Sequence, residues 1–187
     1  MNYTTLSLQE LLARWKLLHG WEPLSPLAAL ATPQLDSLLA LEIGCRYSTL
    51  LSTLPPQQLP LDEFAGKALL SLSPAGCLTV AAPPQCLRPV SVKLAQWSAP
   101  AEVVPQSPEL TLRQHNPFTA ATAASPVAME MPDGSIALYP APGTDAALES
   151  LIGVPAPAAD TFLLTPPMLA AMADTNLLSN LNKANTL

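Results

Sequence analysis

Two periods organise the hydrophobic and polar positions along the chain. Between Cys77 and Trp97 the apolar runs Leu78 to Ala81 and Leu87 to Leu94 flank a Pro83-Pro84 turn. In the second run Val90, Val92 and Leu94 alternate with Ser91, Lys93 and Ala95, which is the period of a half-buried strand. Proline cannot donate to a ladder, so Pro89 predicts an edge or a strand start. Trp97 closes the run. Its indole buries a large area and has one N–H to satisfy, so it reads as a core anchor or as an anchor for a protein partner.

Helical recurrence dominates the first third. Leu8, Leu11, Leu12, Trp15 and Leu18 predict a helix over Leu6 to His19, with Thr5 or Ser7 as cap, Glu10 in the first turn, and Gly20 as stop. Trp15 and Trp21 read as packing residues, and His19 as a partner of the helix C-terminal dipole. A second helix is predicted from Thr32 as N-cap and Pro33 at the first position to about Leu54. Leu35, Leu38, Leu39, Ile43, Leu50 and Leu51 cover more than one stripe, which predicts a helix buried on most sides. Glu42 and Arg46 are spaced to pair on its edge. Pro55-Pro56 ends it.

Leu61 to Leu72 reads as a short helix capped by Asp62, then a strand, with a Ser73-Pro74-Ala75-Gly76 turn. Beyond Trp97, Pro100, Pro105 and Pro108 punctuate an irregular edge, with Leu110 to Arg113 as a short edge strand. His115-Asn116-Pro117-Phe118 opens a small-residue stretch, Thr119 to Ser125, expected to be loose until a neighbour orders it. Val127 to Met131 and Ile136 to Tyr139 predict a hairpin turned by a positive-φ pair, Asp133-Gly134. Leu148 to Val154 predicts a strand. Thr165-Pro166-Pro167 starts a last helix, with Met168, Leu169, Met172 and Leu177 inward, and Asn180 to Leu187 is expected to fray. The class is α+β: an N-terminal helical bundle on a mainly antiparallel sheet or small sandwich, with a short C-terminal helix. One compact unit is expected, helical over residues 1–60, β-rich over 61–165, and ending in a C-terminal helix and tail over 166–187.

Composition sharpens this picture. Of 187 residues 49% are hydrophobic and only 12% charged, against about 25% charged in an average domain. So few charges point to a surface covered by partners. The 22 prolines against 7 glycines favour rigid edges over flexible linkers. A net charge of −6 and the lack of any Lys/Arg run argue against gripping phosphates. After Arg113 only Lys183 opposes Glu130, Asp133, Asp145, Glu149, Asp160 and Asp174, an acidic half that is a solvated face or a surface that must not hold DNA. No apolar run reaches the roughly 18 residues of a membrane span, and Glu10, Arg14 and Lys16 interrupt any signal sequence. The three cysteines fit reduced thiols. Cys77 and Cys86 flank the Pro83-Pro84 turn, where they could face each other across a hairpin, yet their spacing matches neither a redox nor a zinc motif, and they read as buried small apolar residues.

Catalytic chemistry has no carrier in this pattern. His19 and His115 lie outside any metal-spaced motif, and there is no phosphate-cradling glycine loop. Asp62 and Glu63 diverge on a helix. No cofactor or metal is expected, and the chain reads as a non-enzyme.

The order of strand, Pro-Pro turn, LRPVSVKL, Trp97 and a proline-rich stretch resembles the head-to-tail adaptor, or neck, proteins of short-tailed, crAss-like bacteriophages. The likeness extends over Pro126 to Pro140 and Val154 to Leu169, about half of the chain. It implies a virion structural protein, made in the host cytoplasm, that joins portal and tail. It further implies a homo-oligomeric ring of about twelve copies, touching portal and other ring or tail proteins while DNA passes without binding. Trp97, His115, Asn116 and Phe118 are then the interface candidates, and Glu130, Asp133, Asp145, Glu149 and Asp160 the candidates for a lumen wall. The alternative is a monomeric binding module whose hairpin and Trp97 line a groove.

Overall fold

A computed structural model describes residues 3–18, 26–72, 76–141, 143, 145–158 and 160–173. The chain is α+β, with N-terminal helices, curled sheets and a short C-terminal helix. It forms two compact units instead of the single one expected: Met1–Pro60 with Pro157–Leu187, and Leu61–Ala156. The first boundary falls at the end of the proline-rich Pro55-to-Pro60 stretch. The second lies at Pro157, earlier than the expected 165, because the strand before the last helix pairs with the N-terminus.

In the first unit, β1 (Thr4–Ser7) pairs antiparallel with β10 (Thr161–Leu164). Helix α1 (Leu8–Leu18) follows directly. Its start is a reciprocal cap: Ser7 N–H donates to Glu10 Oε2 at 2.7 Å, and Glu10 N–H donates to Ser7 Oγ at 3.3 Å. Two orphan donors are thereby satisfied, and the bonds hold the Glu10 carboxylate below its ordinary pKa. His19, Gly20 and Trp21 lie outside the described residues. Helix α2 (Pro26–Thr53) begins earlier than predicted, so Thr32 and Pro33 sit inside it and not at its cap. Ser25-Pro26 carries an equivalent start signal about two turns upstream.

Among the residues of α2 whose side chains are described, from Asp36 onward, the buried ones are Leu39, Ile43, Tyr47 and Leu51, one i, i+4 stripe. Leu38 and Leu41 stay 56% and 69% exposed. From Asp36 onward the helix is therefore not buried on most sides, because α1, α4 (Pro166–Ala173) and β10 belong to one flank. Lys16 Nζ reaches Asp36 Oδ1 and Oδ2 at 2.6 and 2.8 Å and ties α1 to α2. Tyr47 stacks edge-on against Phe162, ring centroids 5.0 Å apart. Its hydroxyl accepts from Leu163 N–H at 3.1 Å and donates to Leu163 C=O at 3.4 Å. That oxygen serves the free edge of β10 as a third strand would.

The second unit is one sheet in the order β2 (Asp62–Glu63), β9 (Leu148–Pro155), β5 (Cys86–Leu94), β6 (Ala101–Pro105), β7 (Val127–Glu130), β8 (Ser135–Tyr139), β4 (Leu78–Ala81), β3 (Leu69–Leu72). All pairs are antiparallel except β6 with β7. Seven strand spacings would span about 33 Å if flat, yet residues 64–68 join the two edge strands and reach about 20 Å at most. The sheet must curl. Phe64, Leu78, Val80, Val92, Leu94, Trp97, Ile136 and Leu151 accordingly meet in one core cluster although they come from distant strands.

Curling explains two corrections. β4 and β5 are not paired: β4 lies between β3 and β8, and β5 between β9 and β6. Pro83-Pro84 is a corner of the barrel-like sheet, not a hairpin, so Cys77 and Cys86 do not face each other. Pro89 sits in an interior strand, where a register shift between Pro89 and Ser91 removes the need for its missing N–H. At that bulge β9 comes so close that a Cβ on Gly153 would land on the Cys86 sulfur and 3.0 Å from Arg88 O. Only glycine fits there.

The expected short helix after Leu61 is a single 3₁₀ turn, Ala65–Lys67. Glu63, not Asp62, organises it, accepting from Ala65 N–H at 2.9 Å and Leu151 N–H at 2.8 Å. The hairpin β7–β8 forms as predicted, except that Gly134 alone has positive φ, +80°, while Asp133 accepts from Ser135 N–H. In the last helix Met168 and Met172 are buried. Leu177 and the terminal residues lie outside the described ones.

Candidate interaction surfaces

The parallel β6–β7 pair requires a crossover, since two parallel strands cannot be joined by a tight turn. Residues 106–126 supply it. They contain α3 (Pro108–Gln114), in place of the expected edge strand. Ser107 caps this helix through Leu110 N–H at 3.1 Å, with Pro108 at its start and Glu109 in its first turn. That Ser-Pro-Glu signal outweighs the alternation of Leu110 and Leu112, which is too short to set a strand.

The stretch after α3 is knit together. Phe118 N–H donates to Asn116 Oδ1 at 3.0 Å, Ala120 N–H to Asn116 O at 2.8 Å, and Ala121 N–H to Gln114 Oε1 at 3.0 Å. Thr119 Oγ1 donates to Arg113 O at 3.1 Å, and Thr122 and Ser125 close a further bridge. The small residues therefore do not leave the backbone unpaired, contrary to the loose loop expected; side-chain amides and hydroxyls replace the missing apolar contacts. Asn116 is the organiser. Phe118 stands at the surface, 95% exposed, on the same segment as exposed His115 and Leu112, the latter at 69%.

Trp97 takes the other course. It is 3% exposed, and its Nε1–H donates to Pro140 O at 3.2 Å. It is a core anchor of the curled sheet, which removes it from the interface candidates and from any groove.

The acidic candidates in the described residues, Glu130, Asp133, Asp145, Glu149 and Asp160, are all exposed. Asp133 is engaged in its turn, and its two bonds with Ser135 hold its carboxyl below the ordinary value. Glu149 is paired with Lys93 across β9 and β5 at 2.6 Å. Asp174 lies outside the described residues. Sequence spacing alone could not show the Lys93 pairing, since the partners are 56 positions apart in the chain.

In the first unit a cavity of about 370 Å³ opens among α1, α2 and α4. Leu11, Trp15, Ile43, Leu169 and Met172 supply apolar walls, and Arg14, Leu18, Arg46 and Ala170 complete its lining. Arg46 sits 3.9 Å from Glu42, as the spacing predicted. Leu17 and Leu18 on α1 are 83% and 66% exposed. No local pattern foretells this cavity, because its walls come from three helices set far apart in the sequence.

Among the described residues no group of three or more His, Cys, Asp or Glu side chains could hold a metal ion, and no helix is long and apolar enough to cross a membrane. Cys86 is buried against β9, and burial pushes its thiol up to about 11. Cys77 lies 3.6 Å from the Tyr139 hydroxyl; burial first, and then that thiol, push Tyr139 up to about 12. No protein-family model matches the sequence, and no curated protein matches it.

Proposed function

We propose that the chain is a virion structural protein, a ring-forming adaptor between portal and tail that continues the DNA channel. The observation that carries this reading is the set of large apolar side chains left at the surface of a chain with so few charges. Phe118, Leu17, Leu18, Leu41 and Leu112 are each more than 60% exposed. Scattered exposed leucines are ordinary, but a phenylalanine at 95% on a hydrogen-bonded loop has its backbone already set for a partner. A subunit that buries two side faces in a ring accounts for such a surface. The resemblance of Cys77 to Trp97 and its flanks to neck proteins of short-tailed phages points the same way.

Native mass measurement of the chain alone and with its cognate portal protein tests the proposal. A ring on the portal is expected, with the free chain smaller. A chain that stays monomeric in both samples contradicts it. The cavity in the first unit favours a second reading, a monomeric binding module, and the same measurement separates the two.

A further inference from the structure

We propose that the ring contact is a knob in a hole: Phe118 of one copy seats in the α1–α2–α4 cavity of the next. This rests on the adaptor reading and names the residues that would join its subunits. The knob is preorganised. Asn116, Gln114 and Thr119 fix its backbone, so docking orders little beyond one side chain. The hole is apolar, and its roughly 370 Å³ lies at the small end of the 300–1,000 Å³ range of ligand pockets. One aromatic side chain and its neighbours suit that volume better than an extended ligand.

Charge also matches. Arg14 and Arg46 are among the residues that line the cavity, and an arginine can lie on the negative face of an aromatic ring. Each has an acid near it, Glu10 for Arg14 and Glu42 for Arg46, and the helix leading to the knob carries Glu109 and Arg113. Both sides are therefore close to neutral, and neither repels the other as a whole. An acidic peptide would instead need the two arginines free of carboxylates.

A knob and a hole on different patches can join copies head-to-tail, and such a contact builds a ring when its rotation closes. Its size is modest. A buried aromatic contributes about 150–250 Å² of the roughly 800 Å² per partner in a stable interface. Leu112 on the knob's helix and Leu17 and Leu18 on α1 extend it. Free subunits should consequently associate weakly and join firmly when the portal aligns them.

A benzophenone amino acid in place of Phe118 in the full chain, irradiated alone at high concentration and on the portal, tests the contact. Mixing isotopically light and heavy copies marks cross-links between subunits. Cross-links are expected within α1, α2 or α4 of the neighbour. Ala170→Trp, at an exposed position that lines the cavity, should plug the hole, lowering their yield about tenfold or more with an unchanged circular dichroism spectrum. Cross-links to other segments or other proteins, a yield indifferent to Ala170→Trp, or none in either sample would overturn the contact. If rings still form on the portal in that case, the adaptor reading stands without this contact. If no ring forms at all, both fall.

Discussion

Replacing Tyr47 with phenylalanine removes one oxygen and leaves a ring of the same shape against Phe162. In the folded chain that oxygen is the acceptor for Leu163 N–H at 3.1 Å and a donor to Leu163 C=O at 3.4 Å, in a residue only 2% exposed. The longer bond adds little. Leaving the buried N–H without an acceptor costs about 1–3 kcal/mol. Tyr47→Ala also removes the ring, and truncating a large buried aromatic costs about 3–5 kcal/mol. Urea unfolding followed by circular dichroism measures both. The two compact units need not unfold together, so each transition is fitted separately. The lower midpoint should appear in one transition with its slope unchanged. If Tyr47→Phe is as stable as the parent while Tyr47→Ala is not, ring packing alone joins α2 to β10, and the third-strand role of the hydroxyl is wrong. Burial raises the pKa of this phenol. Its stabilising contribution is therefore complete below the ordinary phenol value near 10 and declines as pH rises above it.

Trp97→Ala should destabilise the second unit by about 3–5 kcal/mol while leaving surface contacts intact; a selective loss of assembly with unchanged stability would return Trp97 to the interface. Gly153→Ala forces β5 and β9 apart at the Pro89 bulge, and should cost about 1–3 kcal/mol as an overpacked site, which thermal unfolding will show. Cys45 is exposed and Cys86 buried with its thiol raised to about 11, so a thiol reagent at neutral pH should modify Cys45 at once and Cys86 only on unfolding. The same shift means that the share of the stability due to Cys86 is complete below pH 9 and is lost towards pH 11, a fall that Cys86→Ala should lessen. The exposed acids and the net charge of −6 predict no duplex-DNA binding at physiological salt; micromolar affinity in an anisotropy titration would contradict this.

Local signals are legible where chemistry and spacing agree. Ser7 with Glu10, the β7–β8 hairpin and Met168 with Met172 can be read because each is decided within a few residues. Pairings between distant segments cannot. Nothing in Thr4-Thr5-Leu6 shows that β10 will lie beside it, and so Thr5 reads as a helix cap when it belongs to a strand. The Pro83-Pro84 turn looks the same whether its strands pair or turn a corner; only closure of an eight-strand sheet within residues 64–68 decides it. Ser107-Pro108-Glu109 is a readable helix start that the alternation of Leu110 and Leu112 masks. Of the interface candidates, Phe118, His115 and Asn116 come together on one loop, and Trp97 goes to the core because Pro140 offers its indole an acceptor.

Image reconstruction of the portal vertex in purified particles tests the central claim most directly. The account predicts a ring of this chain below the portal, with the curled sheet and the three-helix cavity recognisable in each subunit. Particles whose vertex is complete without this chain, while the protein is abundant in infected cells, would contradict it.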